Sequence, residues 1–202
     1  TMNVTDGVHA FLWESYSENN CNTYLLTGEK NVLVDPGHRH LLAHVDRGLE
    51  GLGLSRERID AVLITHAHPD HLEAIGEFAP PALFAMNQEE YELFSRYAAG
   101  YMTLPEPDFF LGEGDLAIGD IRLQAIAAPG HAPNQIMIGG GGVCFVADAL
   151  FAPDILDKHG IPFYVHIDQA LDTLERLPDL NAQYTAFVPG HGPAVADISE
   201  WA

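Results

Sequence analysis

The side chains best suited to chemistry lie together in the heptapeptide Thr65-His66-Ala67-His68-Pro69-Asp70-His71. His66 and His68 are two positions apart, so in an extended loop both side chains can point the same way. Asp70 and His71 fall where a helix would begin, and neighbouring side chains of a helix diverge by roughly 100°. One pair can therefore bind one metal ion while the other pair binds a second. Imidazole and carboxylate together suit zinc, iron or manganese better than magnesium or calcium.

Three more side chains of the ligand type follow the ends of apolar segments. His131 and His191 each come directly after a Pro-Gly pair, which ends a strand sharply and orients the next residue. Asp148 follows the apolar run 143–147. Taken singly, each fits a turn or a helix cap, and the heptapeptide alone also fits a solvated loop in which Asp70 caps a helix. Taken together, they favour metal binding.

The pattern His66-x-His68-x-Asp70-His71 resembles the signature of the metallo-β-lactamase superfamily of binuclear metallohydrolases. Further matches follow in the expected order: Pro129-Gly130-His131, Ala147-Asp148-Ala149-Leu150-Phe151 and Pro189-Gly190-His191-Gly192, with Asp35 of Val34-Asp35-Pro36-Gly37 as the early aspartate. Within the superfamily the sequence is most similar to the glyoxalase II-like branch, with which it shares all the ligand types.

The resemblance implies an α/β fold, an αββα sandwich of two mixed β-sheets flanked by helices, with the metal ions at one edge. It also implies two divalent metal ions, with zinc expected and iron or manganese as alternatives. The implied ligands are His66, His68 and His131 for the first ion, Asp70, His71 and His191 for the second, and Asp148 as the bridge between them.

The expected activity is hydrolysis of a small ester, thioester or lactone. A bound divalent ion lowers the pKa of water from about 15.7 towards 7, so two ions can hold a hydroxide nucleophile between them. Asp70 and Asp148 are the expected catalytic carboxylates. Asp35 is expected to accept a hydrogen bond from a ligand histidine, and its alternative role is that of a turn former at a strand end.

Other activities remain open at this point. The persulfide dioxygenases of the same fold use one iron ion, which His66, His131 and Asp148 would bind here. A binding module without activity is a third possibility, although no ligand position is substituted. The aspartate at position 148 argues against a lactamase site built on Cys144. The chain ends eleven residues after His191, before the basic helical domain that glyoxalase II proper would place there. We therefore do not expect hydroxyacyl-glutathione as the substrate, unless the native protein is longer than this chain.

Composition narrows the class of partner. The 202 residues, 47% of them hydrophobic, suit a single domain over residues 1–202. The net charge of −20, with only 9 Lys and Arg, argues against nucleic acid and anionic membranes. We therefore expect a small-molecule substrate, with the oligomeric state left open. The sequence has no apolar run of about 20 residues and no evident secretory signal, so we expect a cytoplasmic protein.

Hydrophobic patterning predicts the elements that must position these residues. Strands are expected at 8–13, 22–27, 32–35, 61–64, 82–86, 116–118, 121–127, 135–138, 143–147 and 185–188, and helices at about 41–52, 70–78, 88–98 and 167–177. The four glycines 139–142 are expected to form a turn between strands. Every strong motif thus lies at the end of a predicted strand.

Several residues near these motifs have roles that the sequence leaves open. The segment 99–110 is aromatic, contains two prolines and lacks a period, so it is either a surface connection or a lid over the substrate. His38 and His40 follow Asp35 and could approach the site. Tyr164 and His166 lie in the segment after the bridging aspartate, where superfamily members often place substrate contacts. For each of these histidines taken separately, a surface or capping role is the favoured interpretation.

Overall fold

The computed structural model describes residues 2–15, 17–98, 100–159 and 163–201. In these residues the chain forms two mixed β-sheets that pack face to face, with helices on both outer faces. The predicted αββα sandwich is confirmed. None of the helices in these residues has the length and apolar composition of a membrane span.

The larger sheet has seven strands in the order β1 to β7. Its strands are β1 Met2–Thr5, β2 Val8–Phe11, β3 Thr23–Thr27, β4 Asn31–Val34, β5 Ala61–Leu63, β6 Leu83–Met86 and β7 Phe109–Phe110. The first four strands pair antiparallel, and β4 to β7 pair parallel. Since parallel strands end at the same edge of a sheet, Asp35 after β4 and the segment 65–71 after β5 emerge side by side.

The smaller sheet has five strands in the order β12-β11-β10-β9-β8. Its strands are β8 Gly114–Ile118, β9 Ile121–Ala127, β10 Ile136–Gly140, β11 Val143–Ala147 and β12 Ala186–Pro189. β11 and β12 pair parallel, whereas the other neighbours pair antiparallel. Strands β9, β11 and β12 therefore run in one direction, and the loops with His131, Asp148 and His191 leave the sheet at a common edge.

The alternation of side chains along each strand separates the core into layers. Tyr24 and Val34 point between the two sheets, where they join Phe145 and Val188 of the smaller sheet in one buried cluster. Their neighbours Leu25 and Leu33 point outwards and pack beneath the helices. A third cluster covers the outer face of the smaller sheet. Both faces of these strands are buried, and for this reason their sequences are continuous apolar runs.

In the part of the chain that the structure describes, five α-helices surround the sheets: α1 Ala43–Glu50, α2 Pro69–Leu72, α3 Gln88–Tyr97, α4 Pro153–His159 and α5 Ile167–Arg176. Helix α1 places Val45 and Leu49 against the larger sheet. The N-cap residue of helix α3 is Asn87, whose side-chain oxygen accepts hydrogen bonds from the N–H groups of Glu89 and Glu90. This cap fixes the start of the helix that reaches the candidate site.

Two predicted elements differ in the structure. The helix expected over 70–78 is instead the single α-helical turn α2 followed by a 3-10 helix, Glu73–Glu77. The turn expected over 139–142 is reduced to Gly141 and Gly142, both with positive φ, because Gly139 and Gly140 belong to strand β10. A Cβ at Gly139 would collide with the Tyr184 hydroxyl, so this glycine is required for close packing.

Two strands and one α-helix of the structure were not among the predicted elements. Strand β1 and helix α4 were not predicted, and strand β7 falls inside the segment 99–110, which was expected to lack regular structure. Residue 99 of that segment lies outside the described residues. β7 has only two residues, which pair with Ala85 and Met86 at the edge of the sheet. Such a short strand cannot show a period of two.

Candidate metal centre

The loops at one edge of the two sheets bring together all the candidate ligands. Three groups of side chains, in which every ligand atom lies within 4.8 Å of the others, share members with one another. These groups are His66, His68 and His131; His66, His71 and Asp148; and Asp70, His71 and His191. Side chains from separate segments of the chain, after β5, β9, β11 and β12, therefore form one continuous cluster of imidazoles and carboxylates.

Three histidines converge at one end of the cluster. Nδ1 of His68 lies 3.0 Å from Nε2 of His66 and 2.9 Å from Nε2 of His131. Ligands in a tetrahedral zinc site with bonds of about 2.0–2.1 Å lie roughly 3.3 Å apart. The spacing of these nitrogens therefore fits a shared metal ion with only small adjustments. His68 would bind through Nδ1, whereas His66 and His131 would bind through Nε2.

Asp148 joins this group to the other end of the cluster. Its Oδ2 lies 3.3 Å from Nε2 of His131 and 3.4 Å from Nε2 of His191, and its Oδ1 lies 3.5 Å from Nε2 of His71. Nε2 of His191 also lies 3.4 Å from Oδ2 of Asp70. Asp148 thus contacts histidines of both expected ligand sets, as a bridging carboxylate must.

Two buried atoms in the cluster have no hydrogen-bond partner. They are Nε2 of His71 and Oδ1 of Asp148, in residues that are 0% and 3% exposed. A buried polar atom without a partner costs about 1–3 kcal/mol, and such atoms are rare in folded proteins. A nitrogen and a carboxylate oxygen are both good ligands for a divalent transition-metal ion. These atoms therefore fit a metal ion as their missing partner.

Asp35 fixes the orientation of two of the histidines. Nδ1 of His71 donates to its Oδ2 at 2.8 Å, which leaves Nε2 of His71 facing Asp148. The Thr65 hydroxyl donates to the same oxygen at 2.7 Å and lies 3.1 Å from Nδ1 of His66, from which it accepts. Thr65 N–H donates to Oδ1. The predicted role of Asp35 as a partner of a ligand histidine agrees with this geometry.

Backbone and carboxylate groups hold the remaining loops. Nδ1 of His131 donates to the carbonyl oxygen of Phe163 at 2.6 Å, which leaves Nε2 facing the cluster. The buried carboxylate of Glu90 accepts hydrogen bonds from Ala67 N–H and Asn134 N–H, so it joins the loop between His66 and His68 to the loop after His131. Sequence reasoning did not identify Glu90, because its position on α3 resembles any other glutamate of a helix.

A run of asparagines before β3 was also missed. Asn19 donates to Oδ2 of Asp70 at 2.7 Å. Asn22 donates to the carbonyl oxygens of Pro189 and Gly192, on either side of His191. The Tyr24 hydroxyl donates to the same Pro189 oxygen. Each of these contacts joins a side chain to a group far away in the chain, so the local sequence did not indicate it.

The electrostatic environment divides the histidines into two groups. Burial lowers the pKa of His66 well below its ordinary value and the pKa of His131 to a lesser degree, and burial with the neighbouring imidazoles lowers that of His68 to about 4. Burial has the same tendency at His71 and His191, but the carboxylates outweigh it. Asp148 and Asp35 raise the pKa of His71, and Asp148 and Asp70 raise that of His191 to about 9.

The neighbouring histidines lower the pKa values of the two carboxyl groups, Asp148 and Asp70. Burial opposes the ionisation of Asp148, yet the nearby His191 and His71 hold its pKa well below the usual range. Burial also opposes the ionisation of Asp70, but the hydrogen bond to His191 outweighs it and lowers the pKa of that carboxyl. Both carboxylates are therefore ionised near neutral pH, as ligands for a cation must be.

The backbone is strained on both sides of the cluster. Asp35 has a φ of 52° and Ala147, the residue before Asp148, has a φ of 49°. Positive φ at residues other than glycine costs free energy and is found preferentially at functional sites. Gly190 lies so close that a Cβ there would collide with Oδ1 of Asp148. The loops are thus built around a fixed position of the Asp148 carboxylate.

The other sequence candidates lie at different distances from the cluster. The Phe151 and Tyr164 rings lie 5.5 and 6.2 Å from the His131 ring, at its side. His166 is exposed just before α5. His38 and His40 form a separate group with Glu73. Cys144 is buried in the cluster that covers the outer face of the smaller sheet, and among the described residues it belongs to none of the groups of candidate ligands.

The sequence profile of the Metallo-beta-lactamase superfamily matches residues 16–191, a range that includes every candidate ligand. The chain belongs to the metallo-beta-lactamase superfamily. A solved structure of a metallo-beta-lactamase family protein from Thermus thermophilus superposes with a TM-score of 0.76. It is 23% identical, and the match covers 98% of this chain and 78% of that one. At this level of identity the superposition shows the fold.

Two curated members of the superfamily illustrate the relationship. The chain is 28% identical over 181 residues to the beta-lactamase-like protein 2 homolog of Caenorhabditis elegans, a match that covers 89% of this chain. It is 28% identical over 170 residues to a hydroxyacylglutathione hydrolase of Xanthomonas axonopodis pv. citri, covering 83% of this chain. The chain spans 58% of the length of each relative. The second match confirms the resemblance to the glyoxalase II-like branch.

Proposed function

We propose that the protein is a metal-dependent hydrolase that binds two divalent ions and cleaves a small ester, thioester or lactone. The observation that carries this proposal is the convergence of the candidate ligands around two buried atoms that make no hydrogen bond, Nε2 of His71 and Oδ1 of Asp148, which lie 3.5 Å apart. Membership of a superfamily that contains a hydroxyacylglutathione hydrolase and probable metallo-hydrolases supports it.

We assign each candidate ligand to one of two metal positions or to the bridge between them. We assign His66, His68 and His131 to the first ion, Asp70, His71 and His191 to the second, and Asp148 to the bridge. The donor set is rich in imidazole, so zinc is the expected ion, with iron or manganese as alternatives. The iron-dioxygenase alternative would use only His66, His131 and Asp148 as ligands, and metal content distinguishes it from the two-ion hydrolase.

When bound, divalent ions lower the pKa of water towards about 7 and polarise the carbonyl oxygen of a substrate. Groups of this chain would orient the metal ligands and the attacking water for that reaction. We assign to Asp70 and Asp148 the orientation of the attacking water, because Oδ2 of each lies 3.4 Å from Nε2 of His191 and both therefore border one position. Asp35 and the Phe163 carbonyl oxygen hold His71 and His131 in the tautomers that direct Nε2 to this position.

Aromatic side chains and the overall charge constrain the substrate. The Phe151 ring lies 5.5 Å from the His131 ring and stacks at 6.4 Å on the His191 ring. Tyr164 adds a second aromatic wall beside His131. These contacts suit an apolar acyl group. A net charge of −20 disfavours a strongly anionic substrate, so we propose a small neutral acyl compound.

The test combines metal analysis with a substrate panel. Elemental analysis of the purified protein should give two metal ions per chain, and a panel of thioesters, lactones and phosphodiesters should show turnover of an acyl compound. The variants His66→Ala and Asp148→Ala should lose activity and metal content together. His9→Gln, which removes a histidine from strand β2, is the matched control and should retain both.

Two outcomes would contradict the proposal. One is full turnover in His66→Ala or Asp148→Ala after metal loss has been verified. The other is a protein that holds one iron ion per chain and consumes oxygen with glutathione persulfide, which would instead support the dioxygenase.

A further inference from the structure

A second group of metal-binding side chains lies outside the candidate metal centre. His38, His40 and Glu73 each offer one ligand atom, and these atoms lie within 4.8 Å of one another. Nδ1 of His38 lies 2.7 Å from Oε2 of Glu73, and Nδ1 of His40 lies 4.0 Å from the same oxygen. The two imidazole rings are 5.1 Å apart. Two ligand atoms bound to one ion at about 2.0–2.2 Å can be as far as roughly 4.3 Å apart.

The nearby guanidinium groups pair with Glu77 and leave the Glu73 carboxylate to the two imidazoles. Arg39 lies between the two histidines in sequence, but its guanidinium group pairs with Glu77 at 2.6 Å. Glu77 also contacts Arg56. Among the described residues, the ionisable groups that contact the Glu73 carboxylate are the imidazoles of His38 and His40. Two imidazoles and one carboxylate form a known donor set for divalent transition-metal ions.

Two of the three residues, His38 and Glu73, are held in place, and the third, His40, is accessible to solvent. The backbone N–H of His38 donates to Oδ1 of Asn20, and that of Arg39 donates to Oε2 of Glu73. His38 and Glu73 are therefore held in place, with side chains 21% and 34% exposed. His40 is 64% exposed, so its ring can rotate the short distance that coordination requires, and solvent ions can reach it.

Backbone hydrogen bonds connect this group to the candidate centre. Gly37 N–H donates to the carbonyl oxygen of His71, and Ala74 N–H donates to the carbonyl oxygen of Gly37. The segment that carries His38 and His40 is thus paired with the segment that carries His71 and Glu73. An ion bound by His38, His40 and Glu73 would connect these two segments next to the candidate ligand His71.

We propose that His38, His40 and Glu73 form an accessory site for a divalent transition-metal ion of the zinc type, separate from the two-ion centre. The protein supplies three ligands and leaves the remaining positions to water, so the site is weaker than the buried centre and exchanges its ion with solvent. Its occupancy stabilises the junction between segments 37–40 and 71–74.

The test compares zinc binding in variants of the full chain. Wild-type protein and the variants His40→Ala, Glu73→Gln and His9→Gln are dialysed against the same range of free zinc concentrations, and the bound zinc is measured by elemental analysis. His40 is exposed, so its removal should leave the fold intact, which circular dichroism verifies. His9→Gln controls for the loss of any histidine.

The expected result is one weakly held zinc ion per chain in wild type and His9→Gln that is lost, or bound at least about tenfold more weakly, in both site variants. Zinc at the concentration that fills this position should also raise the melting temperature of wild type more than that of His40→Ala. Equal zinc binding in wild type and His40→Ala would overturn the proposal. Because the comparison is between variants, it does not depend on the number of ions in the two-ion centre.

Discussion

One carboxylate, Asp35, orients two candidate ligands at once. It accepts from Nδ1 of His71 directly, and it receives the Thr65 hydroxyl that in turn accepts from His66. Its backbone is held at a φ of 52°, a conformation that costs free energy unless the surroundings compensate. The hydrogen bonds to His71 and Thr65 provide that compensation. These contacts support a role for Asp35 in positioning the candidate ligands His66 and His71.

We predict that Asp35→Asn weakens metal binding without unfolding the protein. An amide has one acceptor oxygen, so it cannot accept from His71, from the Thr65 hydroxyl and from Thr65 N–H as the carboxylate does. Loss of such a partner typically reduces metal affinity about 10–100-fold. Competition with a chelator, monitored by elemental analysis, measures the change. Asp6→Asn, at an exposed turn, is the control, and equal metal retention in the two variants would contradict the prediction.

Gly190 shows how closely the bridging carboxylate is packed. The Cβ position of this residue is already occupied by Oδ1 of Asp148, and the Cε1 atom of His71 lies 2.8 Å from it. We predict that Gly190→Ala displaces Asp148 and therefore loses metal and activity together. Overpacking of this kind also lowers the free energy of unfolding by about 1–3 kcal/mol.

The control for this substitution is Gly76→Ala. Gly76 is an exposed residue of the 3-10 helix Glu73–Glu77, and an added Cβ there meets nothing within 4 Å. This change should leave metal content unaltered and should stabilise the protein by about 0.4–1 kcal/mol. Thermal unfolding and elemental analysis of both variants distinguish the effects. Normal metal content in Gly190→Ala would show that the carboxylate has more freedom than its packing indicates.

At the scale of elements, helix α3 joins two loops of the site through one side chain. Glu90 is 1% exposed, and its two oxygens accept from Ala67 N–H and Asn134 N–H. Ala67 lies between His66 and His68, while Asn134 lies on the loop that follows His131. The relative position of the three histidines thus depends on a helix that contributes no ligand.

We predict that Glu90→Ala is strongly destabilising. The substitution leaves two backbone N–H groups without their partner, which costs about 2–6 kcal/mol in total. The affinity for the first metal ion should fall as well, because the three histidines lose their common support. Glu89→Ala, at the exposed neighbouring position, is the control and should cost less than about 1 kcal/mol. Urea unfolding with the metal removed separates the structural effect from the loss of metal.

The sequence predicted the elements that place ligands, and it failed where local signals are weak. Strands such as β5 and β11 are short apolar runs that end at a ligand, and both features are visible in the sequence. The helix expected over 70–78 is broken into α2 and a 3-10 turn, because the tertiary hydrogen bond from Ala74 N–H to Gly37 replaces a bond within the helix. Periodicity cannot report a partner that is distant in sequence.

The same limit applies to the site. The candidate ligands carry distinctive side chains at distinctive spacing, so the sequence singled them out, and the structure brings them together. Glu90 and Asn22 were not identified, because each acts on the backbone of a loop that is far away in the chain. Contacts between a side chain and a distant carbonyl or N–H group leave no mark on the sequence around them.

At the scale of the whole molecule, the chain gathers imidazoles and carboxylates at one edge of a protein of net charge −20. The two ligand sets differ in the protons that they hold before metal binds. Burial lowers the pKa values of His66, His68 and His131, so these side chains are neutral near pH 7. Burial acts the same way on His71 and His191, but the adjacent carboxylates outweigh it and raise their pKa values, so these two are protonated.

We predict that the two metal positions fill with different pH dependence. A ligand histidine must be neutral to bind a cation, so binding at a protonated position releases protons and strengthens as the pH rises. The position with His71 and His191 should therefore gain affinity up to about pH 9, where the pKa of His191 lies. The position with His66, His68 and His131 should show constant affinity above about pH 6.5, the ordinary pKa of histidine.

Calorimetric zinc titrations of the metal-free protein, in buffers of different ionisation enthalpy, count the protons released at each step. Near pH 7 the first, tighter step should release almost none, and the second should release protons from His71 and His191. Asp148→Asn removes the carboxylate that contributes most to both raised pKa values, so any residual second step should release fewer protons. Equal proton release in both steps of the wild type would show that the carboxylates do not divide the histidines in this way.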